Sequence, residues 1–120
     1  MERQNILVCD DEEGVRKSAE LILSDKYNII YASSGREALG IIKNTPNIKA
    51  VLLDIKMPHI SGIEILKEIK QQDKELPVII VTGYQSFETA AEAIKYGASN
   101  YVVKPLESKT LLEALEKAVL

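Results

Sequence analysis

Three aspartates, a threonine and a lysine each stand directly after a short apolar run. Ile6-Leu7-Val8-Cys9 ends in Asp10-Asp11, Ala50-Val51-Leu52-Leu53 in Asp54, Val78-Ile79-Ile80-Val81 in Thr82, and Tyr101-Val102-Val103 in Lys104. If these ends converge, three carboxylates share one small space, and each raises the others' pKa. A hard divalent cation with oxygen ligands relieves that repulsion. Mg2+ suits the set, because it takes one or two carboxylates, keeps several waters and leaves positions for a phosphate. Lys104 adds a fixed positive charge and Thr82 a hydroxyl donor. A cation, an ammonium and a hydroxyl around one carboxylate are what an aspartyl phosphate requires, since the oxygens of the transferring phosphoryl group must be neutralised. Asp54 stands alone at its run's end and is the expected nucleophile, with the acid pair Asp10 and Asp11 left as metal ligands.

The elements that must deliver these residues are legible in the hydropathy pattern. The runs Ile6–Cys9, Ile29–Ala32, Ala50–Leu53, Val78–Val81 and Tyr101–Val103 are short, mostly continuous and rich in Val and Ile, as parallel strands covered on both faces are. Between them lie helical stripes: Val15, Ala19, Ile22 and Leu23; Ala38, Leu39, Ile41 and Ile42; Ile65, Leu66 and Ile69; Ala90, Ala91, Ala93 and Ile94; Leu111, Leu112, Leu115, Ala118 and Val119. Ser34 with Glu37 and Ser61 with Glu64 match the capping box, and Gly97 falls where a helix ends in a left-handed residue. The alternation is (βα)5, an α/β doubly wound parallel sheet with helices on both faces. The fold class supplies the flavodoxin-like strand order 2-1-3-4-5. In such a sheet all strand C-termini share one edge, and strands 1 and 3 flank the topological switch point where ligands bind.

Each residue also has an ordinary reading. Asp10 or Asp11 alone would serve as a helix N-cap, Asp54 as the start of a turn before Pro58, and Lys104 as a solvated lysine whose stem covers apolar surface. Four such accidents on one sheet edge are far less economical than one site. The 120 residues make one domain, and 46% hydrophobic with 28% charged residues is ordinary globular composition. A formal charge of −3 without a basic block argues against nucleic acid bound by this domain. Cys9 is the only cysteine, so no intramolecular disulfide forms and the thiol packs as a small hydrophobe. No run approaches the ~18 apolar residues of a membrane helix and no signal peptide is visible, so a cytoplasmic protein without membrane contact is expected. His59 is the only histidine and lacks the partners a metal site needs. Glu12 and Glu13 decorate a first helical turn, with Glu12 also adding field near the acid pair.

These residues resemble the receiver domain of two-component response regulators over essentially the whole chain, 1–120. The motifs are the acid pair in "VCDDEEG", "LLDIKMPHISG" around Asp54, "VTG" at Thr82 and "YVVKP" at Lys104. Each motif alone is weak; together, in order and at strand ends, they are specific. The resemblance implies a phosphorylation-dependent switch in which Asp54 accepts a phosphoryl group from a sensor histidine kinase. It implies Mg2+ held by Asp11, Asp54 and the backbone carbonyl of Lys56, with Asp10 acting mainly through water. Lys104 and Thr82 would contact the phosphoryl oxygens, and Lys104-Pro105 would be a cis peptide. Thr82 would then move toward the phosphoryl group and Tyr101 rotate inward. That would alter the face formed by the fourth helix, fifth strand and fifth helix, which controls an output domain or partner and offers a homodimer contact. Such a domain is not an enzyme in the metabolic sense: it catalyses only its own phosphoryl capture and loss. The pairing of "DIKMP" with "VTGY" is similar to receivers attached to AAA+ transcription activators, which makes transcription the expected output.

Rival functions fit less well. Haloacid-dehalogenase-like phosphohydrolases place a second acid two residues after the nucleophile, where Lys56 stands, and need room for a substrate cap. A flavodoxin-like cofactor binder wants a phosphate-cradling loop after strand 1, and "DDEEG" is its electrostatic opposite. A receiver that only binds partners would lack an acid or the lysine. Lys56 and Tyr84, two residues beyond Asp54 and Thr82, are expected to overhang the site and slow attack by water. Dephosphorylation equal or slower in Lys56→Asn and Tyr84→Ala would refute that. Gly83 leaves the loop after strand 4 open. The end at Leu120 in mid-pattern suggests a stand-alone receiver or a piece of a longer regulator.

Overall fold

The computed structural model describes residues 3–55, 61–83 and 87–119, the side chain of Phe87 excepted. The chain alternates strictly: β1 (Gln4–Cys9), α1 (Glu13–Leu23), β2 (Tyr27–Ala32), α2 (Gly35–Asn44), β3 (Ile48–Leu53), α3 (Gly62–Gln72), β4 (Val78–Thr82), α4 (Phe87–Lys95), β5 (Asn100–Val103) and α5 (Ser108–Val119). The strands form one sheet in the order β2-β1-β3-β4-β5, every neighbouring pair parallel.

Side-chain alternation along the strands divides the core in two. Leu7 and Cys9 of β1, Val51 and Leu53 of β3, and Val78 and Ile80 of β4 face one layer, closed by Ala38 of α2, Ile65, Leu66 and Ile69 of α3 and Ala93 of α4. Ile6, Val8, Ala50, Leu52, Ile79 and Val81 face the other, closed by Ala19 and Leu23 of α1 and Leu111 and Leu115 of α5. Central strands buried on both faces must be apolar throughout, which is why their sequence runs are continuous.

Strands β1, β2 and β3 begin two residues earlier than the apolar runs. Gln4↔Tyr27 and Asn5↔Asn28 pair in the ladder although polar, because backbone hydrogen bonding reaches past the apolar core to the sheet's rim. Of the two expected capping boxes, the Ser34 cap forms: its Oγ accepts from the Glu37 N–H at 3.2 Å, while the Glu37 carboxylate accepts from Ser33 N–H at 3.2 Å. At Ser61 the cap is one-sided. Its Oγ accepts from Ile63 N–H at 3.1 Å, and Glu64 turns outward to pair with Lys67 at 3.4 Å. Gly97 takes φ +102° after α4, and Ala98 N–H closes the helix on the Ala93 carbonyl at 2.9 Å.

Gly62 opens α3 against the backbone that follows β3. Its N–H donates to the Ile55 carbonyl at 2.8 Å, and a Cβ there would lie 2.5 Å from the Asp54 carbonyl oxygen. Gly62→Ala therefore forces the helix away from the segment that carries Asp54. A loss of about 1–3 kcal/mol, the usual cost of overpacking, is expected in urea denaturation. A variant with unchanged midpoint would show that the contact yields freely.

Candidate functional site

The ladder hydrogen bonds continue one residue past the strands, and that extension fixes the site. Asp10 N–H donates to the Ala32 carbonyl at 3.1 Å, Asp54 N–H to the Cys9 carbonyl at 3.1 Å, and Lys104 N–H to the Thr82 carbonyl at 2.9 Å. Asp10 and Asp54 are thus locked side by side at the ends of adjacent strands, and both are buried, 2% and 3% exposed. Thr82 ends β4 and is also buried. Asp11 and Glu12 are exposed at the rim. Four carboxylates, from Asp10, Asp11, Glu12 and Asp54, have oxygens within 4.8 Å of one another.

Lys104 reaches this cluster from the far end of the sequence. Its Nζ lies 3.0 Å from Asp10 Oδ2, 2.9 Å from Glu12 Oε1 and 3.2 Å from Asp54 Oδ2. Burial disfavours the ammonium, but the hydrogen bonds to Glu12 and Asp10 and the charges of Asp10 and Asp54 outweigh it and raise its pKa above the usual amine range. The amine stays charged, and two buried carboxylates keep a counter-ion. The Lys104-Pro105 peptide is cis.

Neither aspartate of the pair is a simple N-cap. The helix N-cap is Glu12, whose side chain makes no capping bond; Asp10 Oδ1 instead accepts from Glu12 N–H at 2.9 Å. Arg16, one turn into α1, donates from Nη1 to the Asp10 carbonyl at 2.9 Å and ties the acidic loop to its helix. Arg16 and Gly62 are positioning residues that the sequence alone did not single out. For Gly62 a signal existed, a glycine immediately after the cap serine, where helix propensity argues against one. For Arg16 there was none, since its partner is a backbone carbonyl. Glu12 contacts Lys104 directly, a larger part than the field effect expected of it.

Cys9, beneath the site, donates its S–H to the Ser34 carbonyl at 3.4 Å. Burial first, then the charges of Asp10, Asp54 and other acids, push its thiol up to about 12, so it remains a neutral core residue. Tyr101, half-buried on β5, packs against the layer of α2, α3 and α4. Lys56, Met57, His59 and Tyr84 lie outside the described residues. Among the described residues no helix is long and apolar enough to cross a membrane.

An oxygen-only set of four carboxylates, two of them buried, matches a hard cation such as Mg2+ and offers nothing to a softer metal. The chain is a two-sided α/β sheet in the order 2-1-3-4-5, with acids at its switch point and a lysine on the same edge. Residues 6–116 match the family of response regulator receiver domains, and the chain belongs to that family. It is 41% identical over 116 residues to the transcriptional regulatory protein ZraR of Escherichia coli K12, covering 96% of this chain and 26% of that protein. Among solved structures it resembles a CheY-like receiver domain protein from Methanospirillum hungatei (TM-score 0.92, 30% identity, 98% and 94% of the two chains). It also resembles NtrX from Brucella abortus (TM-score 0.90, 35% identity, 98% and 27% of the two chains). The chain spans about a quarter of the length of the curated transcriptional regulators it matches.

Proposed function

We propose that the chain is a phosphorylation-dependent switch of a two-component phosphorelay, with Asp54 as phosphoacceptor. The observation that carries this reading is the placement of Lys104 Nζ within 3.2 Å of a buried Asp54 at the sheet's switch point. An Asp54 carboxylate oxygen attacks the phosphorus of a histidine-kinase phosphohistidine. The new P–O bond forms as the P–N bond breaks, and the imidazole leaves with the bond's electron pair, taking up a proton. Asp11, Asp54 and the Lys56 carbonyl, with Asp10 mainly through water, would hold Mg2+, which would supply positive charge to neutralise the phosphoryl oxygens. Lys104 exchanges its contacts with Glu12 and Asp10 for a phosphoryl oxygen, and the Thr82 hydroxyl donates to another.

The output follows from Thr82 and Tyr101. Ile80 pairs with Tyr101 and Thr82 with Val103 across β4 and β5, so displacement of Thr82 is felt directly in β5. Tyr101 then turns inward, and the face of α4, β5 and α5 changes. Ile94 and Val103, 52% and 36% exposed on that face, support its use as a contact for an output domain, a partner or a second receiver. Leu21, 83% exposed on α1, supports α1 as the kinase-docking element. Turning a 1:99 population into 99:1 needs about 5.5 kcal/mol of differential stabilisation, within reach of a few charge-assisted hydrogen bonds. The output is transcriptional, in keeping with the names of the regulators it resembles, and the setting cytoplasmic.

Incubation with acetyl phosphate and Mg2+ should yield a single hydroxylamine-labile phosphoryl adduct by intact mass, and EDTA should prevent it. An adduct formed equally well in EDTA would refute the role of the cation.

A further inference from the structure

At the opposite end of the molecule from the acids, the C-terminal ends of α3 and α4 enclose an open groove of about 820 Å3. Lys67, Lys70 and Lys74 line one side, and Lys95, Tyr96 and Gly97 the other. Four of the chain's fifteen basic residues thus meet in one concavity of a protein whose formal charge is −3.

The groove is built rather than incidental. Lys70 forms its floor: its Nζ donates to the Leu76 carbonyl at 2.6 Å and lies 3.4 Å from that of Lys74. Its stem lies beneath Gly97, where a Cβ would come within 3.2 Å of Lys70 Cε. The Tyr96 ring draws an ammonium from each helix, Lys67 at 4.2 Å and Lys95 at 5.7 Å from its centroid. Glu64 pairs with Lys67 at 3.4 Å from the exposed rim, and the Asp73 carboxylate is engaged by Glu75 N–H at 2.9 Å. Lys74 and Lys95 are exposed.

We infer that this groove docks an extended acidic segment of a partner protein. Charge complementarity selects an anion, and the geometry selects its shape. Lys67 and Lys70 are separated by a rise of roughly 4.5 Å on α3, and Lys74 follows beyond the helix's end at Gln72, so the three lysines succeed one another along one wall of the groove. Alternate side chains of an extended strand repeat every ~7 Å, so successive carboxylates can meet successive amines. A single phosphate would favour a forked guanidinium, and no arginine lines the groove among the described residues. A second copy would have to bring its acidic end to this basic end. That contact is head-to-tail and does not close into a symmetric dimer. The inference is independent of Asp54 chemistry and is tested on the unphosphorylated protein.

Titration of the 15N-labelled chain with an oligoglutamate peptide at low salt should shift amides of 67–74 and 95–97. The double variant Lys74→Glu/Lys95→Glu should weaken binding by about tenfold or more, whereas Lys43→Glu/Lys109→Glu, with the same charge change elsewhere, should stay within about twofold. Circular dichroism confirms that both variants fold. Equal weakening in both variants, or shifts spread over the whole surface, overturns the inference. Displacement of the peptide by tripolyphosphate at lower concentration assigns the groove to small phosphates and overturns it as well. So does self-association lost in Lys74→Glu/Lys95→Glu, which makes the occupant a second copy.

Discussion

Asp54→Ala is expected to eliminate phosphoryl incorporation from acetyl phosphate and most of the stability gained on adding Mg2+. In the proposed switch the carboxylate is both the nucleophile and one of the oxygen donors, so one substitution would remove two functions. In the unaltered chain, saturating Mg2+ should raise stability by RT ln(1 + [L]/Kd), about 2.7 kcal/mol at one hundred times Kd. The apo protein should tolerate the change well. Asp54 sits beside Asp10, both within 3.2 Å of one amine, so its removal relieves repulsion while Lys104 keeps Asp10 and Glu12. Thermal melts with and without Mg2+, run beside intact-mass labelling, read both effects. Persistent labelling in this variant would falsify the nucleophile assignment.

Lys104→Met should behave in the opposite way. It removes the amine that compensates Asp10 and Asp54, which are 2% and 3% exposed. Breaking a fully buried pair costs ~3–5 kcal/mol; here the mouth is solvated through Glu12, so about 2–3 kcal/mol is expected, or on the order of 10 °C in Tm. Because Lys104 and a divalent cation neutralise the same carboxylates, Mg2+ should stabilise Lys104→Met more than the unaltered chain. Labelling should nevertheless fall by about 100–1,000-fold if Lys104 is, as proposed, a donor to the developing phosphoryl charge. A variant as stable as the parent, with an unchanged Mg2+ response, would show that the amine is not the counter-ion of this cluster. The two substitutions therefore separate the roles. Losing the acid removes most of the metal response without destabilising; losing the amine destabilises and sharpens it.

The sign of the Lys104 shift sets the pH range of this stabilisation. Its pKa is raised on folding, so the contribution is complete below the ordinary amine pKa and disappears only as pH climbs through the higher folded value. Neutral pH lies inside the plateau, and the comparison of variants there is free of lysine titration.

The periodicity of the chain by itself determined the (βα)5 alternation and the helical stripes, because central parallel strands must be apolar on both faces and helices on one. It also put Asp10, Asp54, Thr82 and Lys104 at strand ends, and parallel strands place their ends on one edge. Local polarity could not determine where strands begin. Gln4 and Asn28 join the ladder through backbone groups that carry no sequence signature. Nor could spacing rank the acids: Glu12, the third in a row, reaches Lys104 at 2.9 Å because the turn held by Asp10 Oδ1 directs it there. The tie from Arg16 to a carbonyl six residues back and the clearance required at Gly62 against Asp54 and Ile55 are likewise set by packing geometry that residue types do not display. The lysine groove depends on how α3 and α4, consecutive helices on either side of β4, are set against each other. Hydropathy reports which face of an element is buried; only packing decides which exposed faces meet.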